Sequence, residues 1–186
     1  MKHLPFLSAI RLTVVCLLFF SGFYTLVILG FAQLAPNHGE GESVTMNGKT
    51  IGYLLEGQSF TKDKYFNGRP SAAAYNAAAS SGSNKGPSNH DYLNEVAARI
   101  DTLLQHNPTI KRSDIPSDLV TASGSGLDPD ISPEAAYLQA DRIAKARNIK
   151  IEKIKKLIDN SIIKPTFGIK RINILSINIK LDLLNQ

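Results

Sequence analysis

Two glycine–serine segments hold most of the side chains in this sequence that could do chemistry. The first is Ser80-Ser81-Gly82-Ser83-Asn84 with Gly86 just beyond, and the second is Ser123-Gly124-Ser125-Gly126 leading into Asp128-Pro-Asp130. They offer five hydroxyls, with His90 or His106 as a conceivable base, so a hydrolase using Ser81 or Ser123 is the chemistry they would suit. No G-x-S-x-G elbow surrounds them, and Ser161-Ile-Ile-Lys164 matches S-x-x-K only as short motifs do by accident. Serines in such loops ordinarily make turns and side-chain-to-backbone bonds, and glycines permit close backbone approach. Both segments therefore read as binding surface or tight turns.

Other ligand chemistry is thinner. Asp128 and Asp130 could hold a cation through carboxylate oxygen, although a turn followed by an acid near a helix start explains the same residues. The histidines at 3, 38, 90 and 106 show no metal spacing and Cys16 is the single cysteine, so no metal site is expected. Gly48-Lys49-Thr50 ends like a P-loop, but Ser43 stands where the motif needs its first glycine.

The elements that must position these loops begin with Leu12–Leu34, an uncharged apolar run long enough to cross a bilayer as a helix. Lys2 and Arg11 precede it, with His3 beside them, and Glu40 and Glu42 follow. The positive-inside tendency then leaves residues 1–11 in the cytoplasm and sends residues 35–186 across the membrane. A cleaved signal peptide fits poorly, because the apolar core is long and FAQLAPN gives no clean cleavage site. Ser21, Gly22, Thr25 and Gly30 place small residues along the helix, which permits close packing on another one.

Residues 35–43 read as a tether and 44–186 as one soluble domain with a core of its own. Asn47-Gly48 suggests a hairpin turn. Residues 65–89 have a linker's composition, yet Tyr65, Phe66, Arg69 and Tyr75 interleave with the small residues, so an ordered, backbone-dominated surface is expected. A helix follows, capped by Ser88 or Asn89, with Leu93, Val96, Ile100, Leu103 and Leu104 as its apolar stripe, and Asn107-Pro108 ends it. Ser132 caps and Pro133 opens a second helix lined by Ala136, Ala140, Ile143 and Ala144. A third carries Ile151, Ile154, Leu157 and Ile158, and Ile172–Leu181 has the alternation of a strand with a phase slip at Leu175-Ser176. The fold class is α+β: a single N-terminal transmembrane helix followed by one mixed helix/strand extracytoplasmic domain.

Charge is uneven. Residues 1–140 hold 10 Lys+Arg against 12 Asp+Glu, whereas residues 141–186 hold 11 against 4. On the far side of a membrane a basic third points to a solvated face, anionic headgroups or an acidic partner, and not to nucleic acid.

Three long segments resemble one family. YFNGRPSAAAYNAAASSGSNKGPSN, DLVTASGSGLDPDISPEAAYLQADRIAKARN and INILSINIKLD, with the GQSF segment at Gly57–Phe60, are similar to the KdpC family. These are the small accessory subunits of bacterial Kdp potassium-transporting P-type ATPases. Departures are Lys85, where the family usually has an apolar residue, and a shorter loop at Lys164–Lys170 without the usual Gly-Glu-Pro. The resemblance implies a complex in the cell inner (cytoplasmic) membrane with a channel-like potassium-translocating subunit and an ATP-hydrolysing P-type subunit, for which this chain is a catalytic chaperone. No Asp-Lys-Thr-Gly phosphorylation motif is present, so the chain does not itself run the P-type cycle. No cofactor of its own is expected. ATP enters through the complex, with Gln139 as the nucleotide contact the family account implies. The flanking charges place Gln139 outside the cytoplasm, where it would be a solvated helix residue, so a structural role on the external face ranks ahead of nucleotide binding.

Overall fold

The computed structural model describes residues 6–46 and 48–184, so that Lys2, His3 and Asn47 lie outside the described residues. The chain divides into two units, residues 1–42 and 43–186.

In the first unit Phe6–Ala32 forms a helix (α1) of 27 residues, long and apolar enough to cross a membrane. It starts six residues before the expected Leu12, which puts Arg11 in its second turn, where a long side chain can reach headgroups. Residues Leu18–Phe23 wind in π geometry. There Ser21 Oγ donates to the Leu17 carbonyl at 2.5 Å and Thr25 Oγ1 to that of Phe20 at 3.0 Å, so hydroxyls take up carbonyls of the widened turn. None of the helix is buried within the chain. Such a surface is stable in lipid or against another membrane helix, not in water. Within the expected tether, Pro36–Gly39 makes a short 3-10 turn.

The second unit opens with the antiparallel hairpin of β1 (Ser43–Met46) and β2 (Lys49–Tyr53). Gly48 turns it with φ +74°, a conformation that glycine adopts without steric cost. Helix α2 (His90–His106) is capped by Asn89, whose side chain accepts from the Tyr92 N–H. Of its stripe, Val96, Ile100 and Leu103 pack on the core while Leu93 stays exposed. Helix α3 (Pro133–Arg147) has Ser132 as N-cap and Asn148 in the left-handed conformation at its end. It buries Ala136, Ala140, Ile143 and Ala144 as the spacing requires. Helix α4 (Ile151–Asp159) buries Ile154, Leu157 and Ile158.

The expected C-terminal strand is mostly helix. Only β4 (Ile172–Asn173) is extended, pairing antiparallel with β3 (Asp130–Ile131), and Ile174–Leu183 is helix α5. Asn173 caps it by accepting from the Ser176 N–H at 2.9 Å. Ile174, Ile177, Asn178 and Leu181 are buried, which is the i, i+3, i+4, i+7 spacing of a helix. The phase slip at Leu175-Ser176 was that period and not a bulge. Packing outweighed the β-branched content, as tertiary context commonly does. Phe66, Ile143, Ile154, Ile158, Ile172, Ile177 and Leu181 are wholly buried and form the centre of the domain.

Candidate functional site

The two glycine–serine loops lie against one another, backbone to backbone. The Ser81 N–H donates to the Ser125 carbonyl at 3.0 Å, and Ser80 Oγ donates to the same oxygen at 3.0 Å. A Cβ at Gly82 would stand 2.7 Å from the Gly124 carbonyl oxygen, and one at Gly126, whose φ is +69°, would stand 2.7 Å from the Ser81 carbonyl oxygen. Residues 65–89 are accordingly an ordered surface. Ser71 Oγ donates to the Gly126 carbonyl at 2.6 Å while accepting from the Tyr75 N–H at 2.9 Å, and the Ser123 N–H donates to the Pro70 carbonyl at 3.1 Å. Ser80, Ser81, Asn84, Gly124 and Ser125 face outward, Gly82 and Ser83 are half-buried, and Ser123 is buried. A Cβ at Gly124 or Gly86 would meet nothing within 4 Å, so the steric requirement sits at Gly82 and Gly126.

Asp128 and Asp130 each hold an arginine: Asp128 accepts from Arg69 at 2.9 Å and Asp130 from Arg171 at 2.9 Å. Asp128 Oδ1 also closes a turn by accepting from the Asp130 N–H at 3.0 Å. Partial burial raises the Asp130 carboxyl above its ordinary pKa; Arg171 opposes this and Asp128 reinforces it. The folded state thus favours the protonated acid. That contribution to stability is present below the ordinary value of 3.8 and is lost as pH rises through the raised one. Comparing unfolding midpoints of the parent and Asp130→Asn through this window should show the parent losing ground with rising pH. The opposite slope would refute the assignment.

Gln139 is not solvated. It is 1 % exposed, and its side-chain oxygen accepts from the Asn67 N–H at 2.8 Å and from Arg142 at 2.7 Å. Its amide nitrogen donates to the carbonyls of Asn67 at 3.1 Å and Ala135 at 3.2 Å. Arg142, one helical turn on, donates to the carbonyls of Asp63 at 2.5 Å and Tyr65 at 3.1 Å, and to Oδ1 of Asn67 at 2.8 Å and of Asn107 at 3.2 Å. Asn178 brackets Phe66 from α5, accepting from its N–H at 2.9 Å and donating to its carbonyl at 3.0 Å. Asp63–Asn67 therefore runs without regular structure from the surface to the buried Phe66, with carbonyls and N–H groups along it satisfied by side chains of α3 and α5. Burial lowers the Arg142 pKa, with Asp63 opposing. Beside Gln139 opens a cleft of about 540 Å³, lined among others by Phe60, Tyr75, Arg99 and His106.

The family model described as "K+-transporting ATPase, c chain" matches residues 6–183. The chain belongs to the KdpC family. A Flavobacterium johnsoniae protein named potassium-transporting ATPase KdpC subunit is 53 % identical over 184 residues, covering 99 % of this chain and 100 % of its own. Its namesake from Bacteroides fragilis is 50 % identical with 97 % of each chain covered, and that from Caldanaerobacter subterraneus is 43 % identical over 92 % of this chain and 91 % of its own. In this KdpC-family domain, sequence reasoning singled out the loops but missed Arg142, Asn178 and Asp63. The available signal was polar residues at positions 139, 142 and 178, set among apolar neighbours on buried helix faces.

Proposed function

We propose that this chain is the non-catalytic accessory subunit of an ATP-driven potassium uptake complex, needed for its assembly and stability and acting as a catalytic chaperone for the ATP-hydrolysing subunit. Its partners are that P-type subunit, the channel-like potassium-translocating subunit and the lipid bilayer. The observation that carries the proposal is the outward rim formed where the two loops interlock, Ser80, Ser81, Gly124 and Ser125, held by hydrogen bonds to main-chain carbonyls. A rim of small residues lets a partner's backbone come close. Gly124→Trp tests this, since a Cβ there meets open space. The variant should unfold like the parent yet fail to co-purify with the partner subunits; normal co-purification would refute the rim as the contact.

The proposed location is the cell inner membrane, single-pass, N-terminus cytoplasmic and the domain extracytoplasmic. A reporter that is active only in the cytoplasm, fused after Gln186, should stay silent, whereas a signal would reverse the orientation. The alternative is a nucleotide-binding subunit that raises ATP affinity in a ternary complex with the ATPase subunit. The cleft beside Gln139 favours it, because its volume suits a small ligand and it joins Phe60 and Tyr75 to Arg99. Titration of the full chain with ATP decides: heat that disappears in Arg99→Gln supports this reading, and none at millimolar nucleotide removes it.

A further inference from the structure

Where the tether enters the second unit, the domain carries exposed apolar side chains that no described residue of that unit covers. Ile163 and Arg171 form an antiparallel bridge, the Ile163 N–H donating to the Arg171 carbonyl at 2.8 Å and the reverse bond measuring 3.2 Å. Arg171 is in turn held by Asp130. From this fixed base the loop Lys164–Lys170 projects. Phe167 at its tip is 92 % exposed and Ile169 is 81 % exposed, on either side of Gly168, whose φ is +112°. Lys164 and Lys170 flank them, both exposed and without an ion-pair partner among the described residues.

The position of the loop's base follows from pairing. Ser43, the first strand residue after the tether, lies opposite Tyr53. The next residue, Leu54, accepts from Asn173 Nδ2 at 2.6 Å, and Asn173 is two residues beyond Arg171. One strand spacing of about 4.8 Å, one side-chain hydrogen bond and three steps along the chain separate them, so the loop's base lies within roughly 20 Å of the point where the tether enters. Leu55, 71 % exposed, adds apolar surface at the same corner. Residues 33–42 join this corner to α1, and ten residues reach at most about 35 Å when fully extended. The apolar phase that this chain's own sequence brings within reach is therefore the bilayer.

We propose that the loop Lys164–Lys170 is a second membrane attachment: Phe167 and Ile169 enter the boundary between headgroups and acyl chains, and Lys164 and Lys170 rest on anionic lipid phosphates. Aromatic and aliphatic tips above basic flanks follow the interfacial pattern, in which lysine stems bury and their charges stay wet. Two projecting side chains offer far less than the roughly 1,000 Å² that a specific protein interface buries. A tethered domain needs only weak insertion, because the anchor supplies the local concentration. Two attachments at one corner would set which face of the domain looks away from the membrane.

The sequence contains no tryptophan, so Phe167→Trp places a single fluorescent reporter at the tip. The full-length chain with this substitution is reconstituted in vesicles of phosphatidylcholine and phosphatidylglycerol. Its emission should be blue-shifted and should lose most of its intensity when lipid brominated in the upper acyl chain is included. Water-like, unquenched emission would overturn the proposal. So would blue-shifted emission that brominated lipid leaves untouched, which would assign the loop to a second copy or a protein partner. Adding Lys164→Gln and Lys170→Gln should lower the inserted-to-free ratio on anionic vesicles about 30-fold, at the usual contribution of a basic residue near such a surface. Unchanged quenching would overturn the role given to the lysines.

Discussion

Gly126→Val should destabilise the second unit by about 3–5 kcal/mol, combining a forced contact in a packed site with a left-handed backbone that a β-branched residue adopts at a cost. The position has φ +69°, and any Cβ there would lie 2.7 Å from the Ser81 carbonyl oxygen and 2.8 Å from Ala73 Cβ. Gly82→Val should cost somewhat less, because its clash with the Gly124 carbonyl is steric only and its backbone is unstrained. Two controls isolate the cause. Gly124→Ala and Gly86→Ala have open space and should stay within about 0.5 kcal/mol of the parent. Ser81→Ala and Ser123→Ala should be mild as well, since the bonds these residues contribute to the interlock come from their backbone N–H groups. Thermal unfolding of the full chain in detergent reads all six. Equal losses at Gly124 and Gly126 would show that chain flexibility, and not the interlock, sets the stability.

Arg142→Ala is the second large effect. The side chain is 5 % exposed, and its guanidinium supplies donors to two main-chain carbonyls and to the side chains of Asn67, Asn107 and Gln139. Its removal leaves those acceptors without a partner, at about 1–3 kcal/mol for each that water cannot reach. Neighbours share the relaxation, so a total of about 3–5 kcal/mol is expected, and a fall in Tm of roughly 10–15 °C for a domain of this size. Arg142→Lys should recover less than half, because one ammonium cannot reproduce a planar fork of five donors. A loss below about 1 kcal/mol in the alanine variant would mean that water replaces the network, since a solvated site costs little to vacate. Gln139→Ala should lose less but in the same direction. It still leaves the Asn67 N–H and carbonyl unpaired, which is the reason the side chain is buried at all.

What could be read from the sequence was whatever depends on neighbours along the chain. The long apolar helix is a property of composition over one uninterrupted run, and the caps at Asn89 and Ser132 are local hydrogen-bond chemistry within three residues. The glycine–serine segments identified themselves as close-packed backbone for the same reason. Space alone distinguished Gly126, where a side chain collides, from Gly124 two residues earlier, where it does not. The last helix was misread because β-branched residues in alternation suit a strand, whereas the burial of Ile174, Ile177, Asn178 and Leu181 against the rest of the core selects a helix. The network under Phe66 lay furthest from view. Asn178 meets Phe66 across 112 positions and Gln139 meets Asn67 across 72, so their roles depend on which distant backbone is buried beside them. An unpaired peptide group in a dry interior is costly enough to recruit an arginine, a glutamine and an asparagine from two helices, and that requirement exists only once the chain has folded.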